Sequence, residues 1–242
     1  MSPESLLCEL EWDSRFFNLR IARVQGDRLS ADELAEIERL RGERAFDCLY
    51  FLAAPDDPGT LARVAAAGWR FVDVRTTLRV KLDGVPAARP LDDLRPADSR
   101  DIPALRALAG ASHVDSRFYQ DGRFPRALCD RLFAEWIERC VEGALADTVL
   151  VAGAPGAPRG YVTVRAPREE HPADIGLFAV APGARGQGLG GALLAGAIAW
   201  ARALGEPVLE VVTQGSNARA LRAYERAGFT TQQVAYWYHA WR

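Results

Sequence analysis

The chain contains one lysine, Lys81; all its other basic residues are arginines. With no lysine near the glycine-rich run at 184–196, a phosphate loop of the GxxxxGK(S/T) type is excluded. Charge of one sign is also missing. The net charge is −2, so the basic footprint of a nucleic-acid-binding domain is absent and no nucleic-acid partner is expected. The four cysteines, Cys8, Cys48, Cys129 and Cys140, form no CxxC pair and have no histidine at metal-ligand spacing. They read as reduced, buried thiols of a cytoplasmic protein. His113, His171 and His239 lie far apart, so no metal is expected. The N-terminus lacks a basic segment followed by an apolar run, which argues against a secretory signal. The longest apolar stretch, Gly190 to Ala201, is much shorter than the ~20 residues that span a bilayer, so no membrane partner is expected. What remains is ordinary globular composition, 49% hydrophobic and 26% charged, in a length that suits one large domain or two small ones.

A break falls at "KLDGVPAARPLDDLRPADSRD" (81–101), rich in Pro, Asp and Arg. It divides the chain into an N-terminal α/β part, 1–88, and a second part, 89–242. In the first part, "LEWDSRFFNLRIARVQ" reads as an entry turn and a strand around Ile21–Val24. Ser30 with Glu33 reads as a capping box opening a helix. "DCLYFLAA" is a short buried strand, and a helix ending at Gly68 leads into alternating strand residues. The second part opens on a helix from Ile102. "SRFYQDGRF" (116–124) reads as a loop before a strongly amphipathic helix, in which Leu128, Leu132, Phe133, Trp136, Ile137 and Cys140 recur at helical spacing. A hairpin, a strand "DIGLFAV", the glycine run with its helix, a strand "PVLEVVT", a helix and a closing aromatic strand follow. "LARVAAAGWRFVDV" echoes "LRAYERAGFTTQQV". That echo fits either a common helix–Gly–strand corner or a decayed duplication.

Within "ARGQGLGGALLAG" (184–196), Gly186, Gly188 and Gly191 match the GxGxxG dinucleotide fingerprint. Three features oppose that reading. The turn "APGAR" separates Val180 from Gly186, the candidate ribose-binding acid Glu210 sits inside a strand, and too little chain follows for several more βα units. The same letters also give Arg185-x-x-Gly188-x-Gly190. Here a strand, a turn, an Arg/Gln/Gly loop and a helix can gather backbone N–H groups and a helix dipole around a pyrophosphate. Glycines let that backbone approach. The helix that follows is apolar nearly all round, which predicts burial.

Arg185, Gly188 and Gly190, followed by "NARALRAYERAGF" (217–229), resemble the two cofactor motifs of the GNAT acetyltransferases, in the right order and one strand apart. The resemblance implies an α/β (α+β) GNAT fold: a mixed central sheet with flanking helices, with the N-terminal part resembling a truncated GNAT half. It implies acetyl-CoA as cosubstrate. The strand carrying Phe178, Ala179 and Val180 would splay from its neighbour to take pantetheine. Arg185, Gly186, Gln187, Gly188, Leu189, Gly190 and Gly191 would wrap the pyrophosphate. Asn217 would bond the pantetheine arm, Arg222 would join the cofactor site, and Tyr224 would face the sulfur. Independently, Asn217 and Tyr224 are two helical turns apart and share a face. Asn217 also reads as a helix N-cap and Tyr224 as a core aromatic.

The implied reaction is attack of a primary amine on the thioester. An oxyanion donor would come from the backbone near Val180. Tyr224, with an ordinary pKa of roughly 10, would protonate the thiolate. Asp174, His171 and a water chain stand as candidate bases. Along its whole length the chain resembles the nucleotide-sugar acetyltransferases within the family. That implies the 4-amino group of a dTDP-amino-dideoxy sugar as acceptor. Arg117, Phe118 and Tyr119, with Arg123, Phe124 and Tyr161, supply cations and aromatic faces suited to such a ligand; a solvated loop anchored by aromatics fits them equally. Asp174 completes the substrate candidates. A protein N-terminus, a small-molecule amine, or a non-catalytic coenzyme A-binding module are the alternatives. The closing strand "VAYWYHAW" reads as core or as the edge of a homodimer.

Overall fold

The computed structural model describes residues 6–84, 94–168 and 171–242. The expected boundary at 88/89 lies outside them. Among these residues there are ten strands and eight α-helices, in the order β1 (Leu7–Glu9), α1 (Glu11–Phe17), β2 (Ile21–Val24), α2 (Ala31–Glu43), β3 (Cys48–Ala53), α3 (Pro58–Ala66), β4 (Arg70–Lys81), β5 (Leu94–Pro96), α4 (Ile102–Ser112), α5 (Arg117–Asp121), α6 (Arg126–Val141), β6 (Thr148–Ala152), β7 (Gly160–Arg165), β8 (Asp174–Val180), α7 (Leu189–Ala203), β9 (Val208–Gln214), α8 (Ala218–Arg226) and β10 (Thr230–Trp241). The capping box forms as expected. Ser30 accepts from the Glu33 N–H, and the Glu33 carboxylate accepts from the Ser30 N–H at 2.9 Å. Two local readings change. "EWDSRFF" is the helix α1, and residues 117–121 form the short helix α5 rather than a loop.

All ten strands join one sheet in the order β1-β2-β3-β10-β4-β9-β8-β7-β6-β5. The last strand of the chain therefore sits between two strands of its first part. β10 pairs antiparallel with β3 and β4, and β4 pairs antiparallel with β9. The sequence echo extends into these ladders. Leu78↔Val211 on β4 and β9 has its counterpart in Tyr238↔Phe51 on β10 and β3, and Val80↔Leu209 in Ala240↔Leu49. The helices match too: α3 and α8 are each nine residues long, and Asp57 and Asn217 cap their N-termini. β4 thus pairs with β9, the strand before α8, and β10 with β3, the strand before α3.

One face of the sheet, here the back, carries two apolar clusters. α2 and α3 pack over β2, β3 and β10, and α7 and α8 pack over β4, β7, β8 and β9. On the front, α1, α4, α5 and α6 share a third cluster with Tyr50, Tyr161, Leu177 and Ala179. The cover thins over the middle of the sheet, where Val212 is 42% exposed. There the front face of β4 and β9 is partly open to solvent.

Candidate functional site

β8 and β9 run parallel but pair only at Asp174↔Glu210 and Ile175↔Val211. Beyond those pairs the two strands diverge, and a gap opens toward their carboxyl ends. A β-bulge accompanies the divergence. Val162 and Val164 of β7 face Phe178 and Ile175 of β8, so Gly176 and Leu177 together oppose the single residue Thr163. A bulge shifts the side-chain alternation by one place. Ile175 accordingly joins the back cluster while Leu177 and Ala179 join the front one, and Phe178 and Val180 turn to the back.

The chain then makes a short turn at Pro182–Ala184. Arg185 ties it to the strand end, its Nε donating to the Val180 carbonyl at 3.1 Å, and the Gln187 side-chain amide donates to the Gly183 carbonyl at 3.1 Å. Gly188 is the N-cap of α7 with φ +77°, a conformation that costs a residue with a Cβ about 1–2 kcal/mol. As a glycine it offers no capping side chain, so the first amides of α7 keep no side-chain partner from the cap. Gly190 is needed for a different reason: a Cβ there would stand 3.3 Å from the Phe178 ring. The Leu189 side chain is buried, so only its backbone can join the cradle. Gly186 is exposed with φ +77°, and Gly191 opens onto the groove between α7 and α8. α7 is less fully buried than its composition predicts: Ala199 is exposed and Leu204 is 50% exposed. The exposed loop and uncapped helix start thus leave backbone amides that can receive an anion.

Across the gap, Asn217 caps α8 through its Oδ1, which accepts from the Ala220 N–H at 3.1 Å. Its amide NH₂ is not used by that bond. Tyr224 is buried, its ring 5.8 Å from that of Phe178 and 5.6 Å from that of Phe229. Burial holds its hydroxyl well above the ordinary tyrosine range. Arg222 does not join them. Two residues before Tyr224 on a helix, it points away from that face and is exposed.

The other candidates scatter. Asp174 is held by Arg165, whose Nε donates to its two carboxylate oxygens at 3.0 and 3.2 Å. Its cross-strand neighbour Glu210 is likewise held by Arg79 at 2.8 Å. His171 is exposed on the hairpin before β8, bridged through its backbone to Arg168. Phe118 is buried among Phe17 and Phe124. Tyr119 donates to Asp130 at 2.6 Å and lies under Arg126. Tyr161 is fully buried and shares a 2.8 Å hydrogen bond with His113. These three aromatics are packing groups and offer no free face to a ligand.

Arg117 is half-buried and braced as well. Its guanidinium lies 4.6 Å from the Trp237 ring centre and 4.1 Å from that of Tyr50. It donates to His239 Nε2 at 2.9 Å. An arginine can only donate, so Nε2 accepts and the ring proton sits on Nδ1, facing Asp121. Burial lowers the His239 pKa to about 4 and keeps the ring neutral. Asp121 also accepts from the Trp241 indole at 2.8 Å.

One residue was not read from the sequence. Asp73, cross-strand from Trp237 on the front face, is 7% exposed. Its carboxylate accepts from its neighbour's Val74 N–H at 2.8 Å, and burial raises its pKa to about 6. The signal lies in "FVDVRTTLR", where Asp73, Arg75, Thr77 and Arg79 alternate. They look like the solvent side of an edge strand until β4 is seen to be central.

A family model described as "Acetyltransferase (GNAT) family" matches residues 112–229. The dTDP-fucosamine acetyltransferase of Escherichia coli O6:H1 is 32% identical to this chain, covering 94% of it and 95% of that protein. The Bacillus subtilis spore coat polysaccharide biosynthesis protein SpsD is 34% identical, covering 95% of this chain and 81% of its own length. Among solved structures, a GCN5-related N-acetyltransferase from Sphaerobacter thermophilus superposes with a TM-score of 0.65 at 16% identity, over 97% of this chain and 76% of that one.

Proposed function

Because the chain belongs to the GNAT family and is an acetyl-CoA-dependent N-acetyltransferase, we propose that its acceptor is the 4-amino group of a dTDP-linked amino-dideoxy sugar. The observation that carries the site is the divergence of β8 from β9 beneath the open N-terminus of α7. The acceptor rests on the full-length likeness to an enzyme named for dTDP-fucosamine.

The residues present fit the cosubstrate. The amides at the start of α7, with Gly186, Gln187 and Gly188, receive the pyrophosphate, and the Asn217 amide reaches the arm that enters the gap. Acetyl-CoA supplies the activated acetyl thioester. Backbone N–H groups of β8 turned to the gap stabilise the oxygen that gains charge when the amine attacks. Tyr224 keeps its proton at neutral pH and gives it to the departing sulfur.

The open front face admits the acceptor. Arg165 and Arg79 already hold Asp174 and Glu210, which removes Asp174 from the role of base. Asp73 accepts from the Val74 N–H and, among the described residues, has no cationic hydrogen-bond partner. With a pKa near 6 it is charged at neutral pH and can take the ammonium proton through water. Arg117, braced by His239 and Asp121, presents a fixed cation on the same face for the nucleotide's phosphates. Acetyl-CoA turnover measured against dTDP-4-amino-4,6-dideoxygalactose, an aminoglycoside and a peptide N-terminus tests this reading. Turnover confined to the peptide or the aminoglycoside contradicts the proposed acceptor, and tight coenzyme A binding without any turnover contradicts the enzyme itself.

A further inference from the structure

The gap between β8 and β9 depends on one hydroxyl outside it. At the bulge, the two residues Gly176 and Leu177 face Thr163, and a β7 backbone carbonyl cannot serve both. Thr163 Oγ1 accepts from the Leu177 N–H at 2.8 Å, in a buried position. Thr163 itself is 1% exposed. The hydroxyl's other connection runs to the Cys140 thiol on α6. The fit is tight on the strand side as well: a Cβ on Gly176 would lie 3.0 Å from Thr163 Oγ1. The Thr163 and Cys140 side chains and the β8 backbone at Gly176 and Leu177 therefore converge near the point where β8 leaves β9.

We propose that Thr163 is a positioning residue for the acyl donor: its hydroxyl satisfies the extra amide of the bulge and so sets the phase and divergence of β8. This rests on the reading of the gap as the cofactor slot. The physical reason is the alternation of a strand. Without the bulge, Phe178 would share the front face with Asp174, and Ala179 would face α7 and α8. With it, Phe178 turns back to meet Tyr224 and abuts Gly190, so acid, slot wall and loop register together. A bulge with an unsatisfied buried N–H is costly, and the strand relieves that cost by sliding back into pairing with β9. Thr163 touches neither substrate; it acts through β8.

The test compares Thr163→Val, which keeps shape and removes the acceptor, with Thr163→Ser, which keeps it. Coenzyme A binding is measured by calorimetry on the full chain, alongside steady-state kinetics and hydrogen exchange of the β8 amides. Thr163→Val is expected to weaken coenzyme A binding and lower kcat by about tenfold each, the size of one buried hydrogen bond, with faster exchange at Leu177. Thr163→Ser is expected to restore all three. A folded Thr163→Val protein with wild-type coenzyme A affinity, kcat and Leu177 exchange overturns the proposal. If Thr163→Val does not fold, Gly176→Ala carries the same test by pressing on the hydroxyl, and wild-type affinity in that variant overturns it equally. Failure of the wild-type chain to bind coenzyme A instead overturns the slot reading beneath it, which separates the two failures.

Discussion

In the proposed reaction two residues carry the proton traffic, and burial raises the pKa of both. Tyr224 is enclosed by Phe178 and Phe229, so its hydroxyl stays protonated. Tyr224→Phe is expected to cut kcat about 100-fold, the usual range for a lost general acid, with coenzyme A affinity unchanged. An unchanged kcat would remove Tyr224 from the mechanism. Asp73 is raised from 3.8 to about 6 by burial. Its folded pKa lies above its unfolded value, so protonation favours the folded state. That stabilisation is complete below about 3.8 and is lost as pH rises through 6. At pH 7 the charged carboxylate therefore costs about 3 kcal/mol. Asp73→Asn is expected to raise Tm while lowering kcat, and to remove the acidic limb, near pH 6, from the pH–rate profile. A variant with lower Tm and an intact limb would contradict the assignment. Tyr224 was legible from the sequence because its motif travels with it. Asp73 was not, because an alternating strand does not reveal whether its polar side meets solvent or is buried.

At the scale of elements, the loop before α7 works through its lack of side chains. Gly188→Ala places a Cβ at φ +77° and is expected to destabilise the fold by about 1 kcal/mol. It is also expected to raise the KM for acetyl-CoA several-fold more than the KM for the amine. Equal changes in both KM values would show that the loop does not hold the phosphates. The strand–turn–loop–helix order was legible because glycines, a turn and an apolar helix follow one another without interruption. The bulge was not, because it depends on Thr163, far from the motif, and on a two-against-one pairing that only the sheet defines. "SRFYQDGRF" shows the opposite failure. Its aromatics look like a ligand platform in sequence, yet Phe118 is core and Tyr119 is bonded to Asp130. Arg117 is half-buried, packed on Tyr50, Phe118 and Trp237 and bonded to His239, which comes from the far end of the chain.

At the scale of the whole molecule, β10 brings the end of the chain between two strands formed near its start. β10 bonds to β3 on one side and β4 on the other. A chain ending at Gly228 loses both ladders and is expected to lose the packing of Trp69 and Phe51 as well as the C-terminal helices. Near-ultraviolet circular dichroism would show this as loss of the whole aromatic signal, and a surviving native signal would contradict it. The sequence echo fitted either a common corner or a duplication, and which strands pair is a property that no local pattern encodes. Pairing also sets Asp73 of β4 opposite Trp237 of β10 on the front face. The most direct measurement of the account is kcat/KM for acetyl transfer to dTDP-4-amino-4,6-dideoxygalactose beside the same amino sugar without its nucleotide. The account predicts efficient transfer to the nucleotide sugar, at least 100-fold lower kcat/KM for the free sugar, the size of a lost set of charge-assisted contacts, and loss of that preference in Arg117→Ala. Equal rates on the two sugars, or no transfer to either, would contradict it.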